Sequence, residues 1–350
     1  MKKVFYLAGF AAVAMMGCKD SFKKTTGGLE YKIISDNNGP RLVDGNFVEL
    51  RIRQEYKDAS IDTVLMDSKD AGSQVFPISS QIPAPYYNIF TQLRNGDSIV
   101  LKLLTDTIIK TGRALPFMKK DQYLVTTLKV VNIFTTKEQA DSAYKVNNKI
   151  AKAKRYQQTL EQIKTELATT DAAQLKTDDA ILNDYMTKNK IVATKSDLGA
   201  YVSLTDPGTG DYLDNNSIAE VKYTGKTLDD SVFDSNIDPK FGHTDPLDVD
   251  MGEFRMLPGW IDGLKLMKKG SKGQLLIPSS LAYGKNGQMP KIKPNANLIF
   301  YIEVTDVLTP EQMEAQRMAK QQQMMAQRQH YMDSVQKARG AAPNSTAPHK

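Results

Sequence analysis

Cysteine, histidine and tryptophan are scarce in this chain of 350 residues, which has one cysteine, three histidines and one tryptophan. A single cysteine excludes an intramolecular disulfide. The three histidines are His243, His330 and His349, and they do not offer the closely spaced ligands of a zinc site. Without a reactive cysteine or a well-placed histidine, Ser-His and Cys-His nucleophilic catalysis are unsupported. We expect no metal and no other cofactor.

Signatures of phosphate and nucleic-acid binding are also missing. The sequence has no glycine-rich phosphate loop and no GxSxG motif. Its net charge of +6 comes from 46 basic and 40 acidic residues. The basic residues are not concentrated in one patch with aromatic residues among them, so no nucleic-acid partner is expected.

Long apolar runs are absent except at the N-terminus. The apolar run at residues 4–17 follows Lys2 and Lys3, and it is too short to span a bilayer but typical of a signal-peptide core. Cys18 follows directly, and this arrangement resembles a bacterial lipoprotein signal. The resemblance implies a signal peptide at residues 1–17 and acyl chains on Cys18. A plain secretory signal with an incidental cysteine is the alternative.

The lipoprotein resemblance also implies a location. With Lys19 after the cysteine, it favours a lipid anchor in the outer membrane of a Gram-negative bacterium. We expect the protein to face the periplasm, and the cell surface is the alternative.

The rest of the chain alternates strand-rich and helix-rich segments, an α+β pattern in a chain longer than one core usually supports. The predicted segments are a polar tether at 18–28, a strand-rich domain at 29–134, a helical connector at 135–195, a second strand-rich domain at 196–308, a helical tail at 309–340 and a disordered end at 341–350.

The connector is predicted to contain two helices. Thr135 and Glu138 have the spacing of a capping box, and a second helix is predicted from Asp178 to Lys188. One apolar face of the first helix is predicted to hold Val146, Ile150, Leu160, Ile163 and Leu167. Three interpretations of this face remain open: a rigid spacer, a surface for a homodimer, or packing on the neighbouring domains.

Two stretches repeat in the same order along the chain. Residues 64–68 read VLMDS and residues 231–235 read SVFDS. Further along, residues 84–96 parallel residues 258–270, so that Tyr86 corresponds to Trp260. Two copies of one fold, joined by the helical connector, is the simplest architecture.

The stretch LPGWIDGLKLMKKG at residues 257–270 holds the single tryptophan, Trp260. Apolar residues at Ile261, Leu264 and Met267 predict a helix of about three turns that ends at Gly270. A lone tryptophan on such a helix is usually a core residue. The aromatic residues elsewhere in the second half therefore decide how Trp260 is interpreted.

Five short motifs occur in order across residues 217–308: VKYTG at 221–225, FDS at 233–235, LPGW at 257–260, LAYG at 281–284 and PNANLIF at 294–300. Together they resemble the FKBP-type peptidyl-prolyl isomerases. The resemblance implies a bent antiparallel sheet around one short helix. The whole chain then reads as two FKBP-like domains joined by a helical connector, with a helical C-terminal tail.

The resemblance also implies a site for rotation about X-Pro bonds. Its catalytic residues would be Tyr223, Phe233, Asp234, Trp260, Tyr283 and Phe300, and its substrate-binding residues Leu247, Met256, Leu257, Ala282 and Ile292. Trp260 would form the floor of an apolar proline pocket, Tyr283 would offer its hydroxyl to a substrate carbonyl, and Asp234 would lie at the rim. An apolar pocket suits this reaction because the twisted amide is less polar than the planar one.

Some positions depart from the family pattern. Leu247 stands where an aromatic residue is usual, and Lys291 where an apolar residue is common. In the first copy, Asp67 and Tyr86 match the rim carboxylate and the floor only loosely, and no Ala-Tyr-Gly follows the strand at 98–104. We expect the first copy to be a degenerate module without isomerase activity.

Three functions are compatible with these features. The first is a membrane-anchored isomerase acting on proline-containing polypeptides that fold in the cell envelope. The second is a chaperone that binds unfolded envelope proteins without catalysis. The third is a scaffold lipoprotein whose helices mediate assembly, including a homodimer through the connector.

Overall fold

The computed structural model describes residues 21–35 and 38–340. The predicted signal peptide, the lipid-attachment candidate Cys18 and the predicted end at 341–350 lie outside the described residues. The chain divides into two compact units, Met1–Ala151 and Lys152–Lys350. Both units combine helices with antiparallel sheet, as the α+β pattern predicts.

The first unit is built on a seven-stranded antiparallel sheet. Its strands are β1 Lys23–Lys24, β2 Glu30–Ile34, β3 Phe47–Lys57, β4 Asp62–Asp67, β5 Gln74–Pro77, β6 Ser98–Leu104 and β7 Tyr123–Phe134. Its helices are α1 Ser68–Ala71, α2 Ala84–Phe90 and α3 Thr105–Lys110. The strand order is β1-β2-β6-β7-β3-β4, and β5 also pairs with β3. Ile89 and Phe90 of α2 pack with the apolar face of this sheet in one core.

Helix α4, Lys137–Ala168, begins in the first unit and ends in the second. The second unit continues with the helices α5 Ala172–Lys188, α6 Pro258–Leu264 and α7 Pro310–Gly340. Its strands are β8 Thr194–Lys195, β9 Tyr201–Asp206, β10 Thr209–Tyr212, β11 Ile218–Thr227, β12 Val232–Ser235, β13 Leu247–Asp250, β14 Lys268–Lys269, β15 Lys272–Ile277 and β16 Leu298–Leu308. Short 3-10 turns occupy Pro239–Phe241, Ser279–Leu281 and Gly284–Asn286.

The sheets of the two units have the same topology. In the second unit the order is β8-β9-β15-β16-β11-β12, and β13 also pairs with β11. Both central strands carry a register shift in the same place, between Glu49 and Leu50 in β3 and between Glu220 and Val221 in β11. The short helices α2 and α6 occupy the same place in the two sequences of elements. The repeat seen in the sequence corresponds to this shared strand order.

Helix α6 is shorter than the three turns predicted. It ends at Leu264, and the N–H groups of Leu266 and Met267 donate to the carbonyls of Gly263 and Leu264 in tighter turns. Lys268 then begins strand β14, which pairs with β10. The apolar spacing was misleading because a turn that follows a helix can also bury a residue three positions on, as it does for Met267.

The start of α4 is also corrected. Thr136, rather than Thr135, is the capping residue, and its Oγ1 accepts a hydrogen bond from the N–H of Gln139 at 3.3 Å. The Gln139 side chain in turn accepts from the N–H of Thr135. Thr136 and Gln139 thus replace Thr135 and Glu138 as the capping pair, and the Gln139 side chain accepts from the residue before the cap rather than from the cap itself.

The predicted apolar face of α4 is not continuous. Val146 and Ile150 are 56% and 62% exposed. Leu160, Ile163 and Leu167, by contrast, pack into the core of the second unit. Ten residues separate Ile150 from Leu160, which is about 2.8 helical turns, so these two side chains point about 80° apart around the helix axis. Packing is therefore the right interpretation for the C-terminal half of this helix.

Helix α5 begins at Ala172, six residues before the predicted start at Asp178, and Asn189 follows its last turn as predicted. Its residues Leu182 and Met186 form a second apolar cluster with Leu276 of β15 and Ile299 of β16.

Among the described residues, no helix combines the length and the apolar character needed to cross a bilayer.

Candidate functional site

Helix α6 lies very close to strand β15 because two glycines face that strand. A Cβ atom on Gly259 would come within 2.3 Å of Ile277, and one on Gly263 within 2.2 Å of Leu275. Pro258 suits the first turn because its missing N–H is not needed there. The close approach buries the Trp260 side chain, which is 1% exposed.

Three further aromatic rings pack around Trp260. Its ring centroid lies 5.2 Å from that of Tyr223 and 5.0 Å from that of Phe300, with interplanar angles of 88° and 79°. Phe233 meets Phe300 at 5.6 Å and 87°. Edge-to-face contacts of this kind are favourable because the positive edge of one ring meets the negative face of the next. Strands β11, β12 and β16 and helix α6 each contribute one ring.

A polar group borders this aromatic cluster. The hydroxyl of Tyr223 donates to Oδ2 of Asp234 at 2.6 Å. Oδ1 of Asp234 accepts from the N–H of Ser235 and lies 3.0 Å from Nε2 of His243. Asp234 therefore has a partner for each carboxylate oxygen.

The electrostatics keep these groups in fixed protonation states at neutral pH. Burial raises the pKa of Tyr223, and its hydrogen bond to Asp234 raises it further. Burial acts to raise the pKa of Asp234, but the hydrogen bonds from Tyr223 and His243 outweigh it and hold that pKa below its usual range. Asp234 thus stays ionised and orients Tyr223, and it is a poor general base.

Tyr283 lies at the edge of the same group. Burial raises the pKa of its hydroxyl, and the charge of Asp234 raises it further. Among the residues that the structure describes, the Tyr283 hydroxyl has no hydrogen-bond partner. The indole N–H of Trp260 is buried and likewise has no partner in this part of the chain. The half-buried hydroxyl is therefore available to an incoming ligand.

The structure brings the predicted site residues together. Ten of them belong to or pack against one apolar core: Tyr223, Phe233, Trp260, Phe300, Ile292, Leu247, Met256, Leu257, Ala282 and Tyr283. Asp234 is attached to this core by its bond to Tyr223. Within residues 21–35 and 38–340, no group of three or more His, Cys, Asp or Glu side chains is arranged to hold a metal ion.

Three further residues contribute to the site, and the sequence alone does not reveal their contacts. In the sequence His243 is a candidate only for a zinc ligand, because a single histidine in a loop gives no other signal. Gly225 lies inside a quoted motif, but only the structure shows that a Cβ there would meet Phe233 and Phe300 at 2.6–2.8 Å. Lys291 was noted as a departure, and its Nζ donates to the Phe233 carbonyl at 2.9 Å.

The first unit lacks most of this site. The register shift after Gln54 in β3 corresponds to the shift after Gly225 in β11. Opposite these two residues stand Thr126 and Phe300, respectively, in the long last strands. The equivalent of a wall phenylalanine is therefore a threonine.

The same register corrects the match proposed for Asp67. Met66 pairs with Gln54 as Asp234 pairs with Gly225, so Met66 occupies the position of the rim carboxylate. Asp67 instead caps helix α1 and forms an ion pair with Arg53. Aligning VLMDS at 64–68 with SVFDS at 231–235 places Asp67 on Asp234. That alignment compares residue types only, whereas the position in the site is set by which residue of the neighbouring strand each one pairs with.

Residues 210–305 match the family model described as FKBP-type peptidyl-prolyl cis-trans isomerase. This region belongs to that family. The FKBP-type domain therefore lies within the second unit and includes every predicted catalytic residue. The family is one of enzymes, which agrees with the prediction of an isomerase.

The curated relatives carry the same description. A probable FKBP-type peptidyl-prolyl cis-trans isomerase of Haemophilus influenzae is 33% identical over 165 residues, 45% of this chain and 66% of that protein. The FKBP-type peptidyl-prolyl cis-trans isomerase FkpA of Escherichia coli is 37% identical over 123 residues, 34% of this chain and 42% of FkpA. The chain thus spans less than two thirds of these relatives. The crystal structure of FkpA from Escherichia coli, 31% identical, covers 44% of this chain and 71% of that one with a TM-score of 0.32.

Proposed function

We propose that the FKBP-type domain catalyses cis–trans isomerisation of X-Pro bonds at the aromatic cluster. The observation that carries the proposal is the convergence of Tyr223, Trp260 and Phe300 beside the hydroxyl of Tyr283, which has no hydrogen-bond partner among the described residues. Because Tyr283 is only half-buried, its hydroxyl can donate a hydrogen bond to a ligand without first losing one to the described part of the protein.

The proposed mechanism uses no acid, base or metal. Rotation about the X-Pro amide has a barrier of about 20 kcal/mol because conjugation is lost as the bond twists. The twisted amide separates less charge than the planar one, so the dry aromatic surroundings favour it. Tyr283 donates a hydrogen bond to a carbonyl of the substrate and holds the peptide while the bond turns. Asp234 keeps the Tyr223 ring in place.

Binding of the proline ring requires the entrance to open. Trp260 is 1% exposed, so a ligand reaches it only after partly buried side chains move. Met256 and Leu257, which directly precede α6, and Tyr283, which follows the Ser279–Leu281 turn, are partly buried members of the cluster. We propose that these three side chains form the entrance.

The substrates and the location belong to the same proposal. We propose that the protein acts on proline-containing polypeptides folding in the cell envelope, anchored by lipid on Cys18 to the outer membrane and facing the periplasm. The support is the apolar run before Cys18 and the FKBP-type domain. Replacement of Cys18 by serine should move the protein from the membrane fraction to the soluble fraction, and unchanged fractionation would contradict the anchor.

A second candidate function concerns the first unit. We propose that this unit is an FKBP-like module that binds non-native chains without catalysis. Its support is a strand order shared with the FKBP-type domain, combined with Thr126 and Met66 at the positions of Phe300 and Asp234.

The exposed Tyr144, Val146 and Ile150 of α4 are the surface that we propose for a homodimer.

An isomerisation assay on a proline peptide, read by exchange NMR, tests the catalytic proposal. Wild type should accelerate exchange, and Trp260→Leu and Tyr283→Phe should each lower kcat/KM about tenfold, or ~1.4 kcal/mol of activation free energy. Tyr86→Leu, at the position of Trp260 in the first unit, is the matched control and should retain the rate. No acceleration by wild type would refute the proposal. Suppression of aggregation that survives the Trp260 and Tyr283 replacements would favour the chaperone instead.

A further inference from the structure

Asp178 is a fully buried carboxylate on helix α5, 0% exposed, and it reaches a turn about 100 residues further along the chain. Its Oδ2 accepts a hydrogen bond from the Ser279 hydroxyl at 2.8 Å. The same oxygen accepts from the N–H and the hydroxyl of Ser280 at 3.3 and 3.4 Å. Its Oδ1 accepts from the Gln174 side-chain amide at 2.8 Å. Both carboxylate oxygens are therefore used as acceptors.

These bonds cap the turn that leads into the site. The residue before the 3-10 turn Ser279–Leu281 is Pro278, whose side chain has no acceptor to offer to the free N–H groups. Asp178 supplies the missing acceptor from another helix, and Asn297 accepts from the Ser279 N–H at 2.8 Å. Two side chains from distant parts of the second unit thus fix the first residues of this turn.

The position of Tyr283 depends on this turn. Its hydroxyl has no partner among the described residues, so no hydrogen bond at its tip holds the ring. Packing against the core and the course of the backbone hold the ring instead, and the backbone passes from the turn through Ala282 in an uncommon conformation, φ −120° and ψ −118°. The backbone carbonyl of Tyr283 accepts a hydrogen bond from the N–H of Gly287 at 3.2 Å. A shift at Ser279 and Ser280 would consequently displace the Tyr283 hydroxyl.

We propose that Asp178 is a positioning residue for the isomerase reaction, acting through the Ser279–Leu281 turn on Tyr283. The inference rests on the proposed function. It extends the set of residues that support catalysis beyond the matched residues 210–305, because α5 precedes them in the sequence.

The substitution Asp178→Asn tests the link because asparagine has the same shape but only one acceptor oxygen. The NH2 group of the asparagine would face either the donors of Ser279 and Ser280 or the donor of Gln174. Because an NH2 group cannot accept a hydrogen bond, the bonds on that side would be lost. We expect kcat/KM to fall at least about fivefold with KM changed less than about twofold, because an interaction that strengthens in the transition state is lost. Ser279→Ala, a milder change, should give a loss of about two- to threefold.

A double-mutant cycle with Tyr283→Phe separates positioning from general destabilisation. In the Tyr283→Phe background, Asp178→Asn and Ser279→Ala should each change kcat/KM by less than about twofold, because the hydroxyl they position is already absent. Leu182→Ala is the matched control, since Leu182 is fully buried one turn further along α5 and packs on the sheet rather than on the turn. It should lower the unfolding midpoint and leave kcat/KM of the folded protein unchanged.

Equal losses in the wild-type and Tyr283→Phe backgrounds would overturn the inference, as would a loss for Leu182→Ala matching that for Asp178→Asn. If Asp178→Asn does not fold, Ser279→Ala decides by the same comparison. A wild-type protein without isomerase activity would refute the proposed function first, before any variant is compared.

Discussion

Gly225 sets the distance at which Phe233 and Phe300 pack in the FKBP-type domain. A methyl group there would lie 2.6–2.8 Å from both rings, closer than side-chain carbons approach one another. The chain at Gly225 belongs to β11, where backbone pairing with β12 and β16 leaves little room to relax. The edge-to-face contact of the two rings therefore requires glycine at this position.

Gly225→Ala should consequently destabilise the protein by about 1–3 kcal/mol, as overpacking of a core usually does, and should lower kcat/KM as the rings move apart. Urea unfolding and the peptide assay measure the two effects. Gly27→Ala is a suitable control, because the nearest atom to its added methyl would be Thr25 Oγ1 at 3.9 Å. A Gly225→Ala protein with unchanged stability and activity would show that the rings adapt freely.

Asp234 couples the rim of the site to pH. Its pKa is lower in the folded protein than the usual value of about 4, because the hydrogen bonds from Tyr223 and His243 outweigh the effect of burial. A carboxyl whose folded pKa is lowered adds stability above its unfolded pKa, and this stability is lost as pH falls through the folded pKa. The side chain is 39% exposed, so solvent screening reduces the effect.

We therefore expect Asp234→Asn to be less stable than wild type at pH 7, with a difference that shrinks as pH falls below about 4. Urea midpoints at pH 7, 5, 4 and 3 measure this dependence. Asp211→Asn, a change at an exposed position on β10, provides the comparison. A difference between wild type and Asp234→Asn that is constant across this pH range would contradict the assignment.

At the scale of single elements, the sequence predicted what local patterns encode. The spacing of Ile261, Leu264 and Met267 indicated a helix where α6 lies, and the end of α5 beside Asn189 followed from ordinary stop signals. The end of α6 did not, since the switch to strand β14 depends on pairing with β10 across the sequence. The spacing of apolar residues along the sequence does not indicate pairing between distant strands.

The candidate site divides in the same way. The aromatic residues were found because each lies in a short motif that the family resemblance carries. The hydrogen bond from the Ser279 hydroxyl to Asp178 could not be found, because it joins residues 101 positions apart and neither side chain is unusual in its own segment. His243 was missed for the same reason, since only the fold places it against Asp234.

At the scale of the whole molecule, the two units show how one topology can keep or lose a site. Both have the same strand order and a short helix in the same place. Backbone pairing sustains the sheet in each, whereas the aromatic cluster depends on a few side chains such as Phe300, for which the first unit has Thr126. The fold is thus more tolerant of substitution than the site.

The single tryptophan makes the central claim directly measurable, because all tryptophan emission of this chain comes from the floor of the proposed pocket. Titration with a short peptide containing a Leu-Pro bond should change that emission saturably, with a midpoint equal to KM in the isomerisation assay. The same peptide with alanine in place of proline should produce no change. Unchanged emission at peptide concentrations that saturate catalysis would place the reaction elsewhere and contradict the proposed site around Trp260.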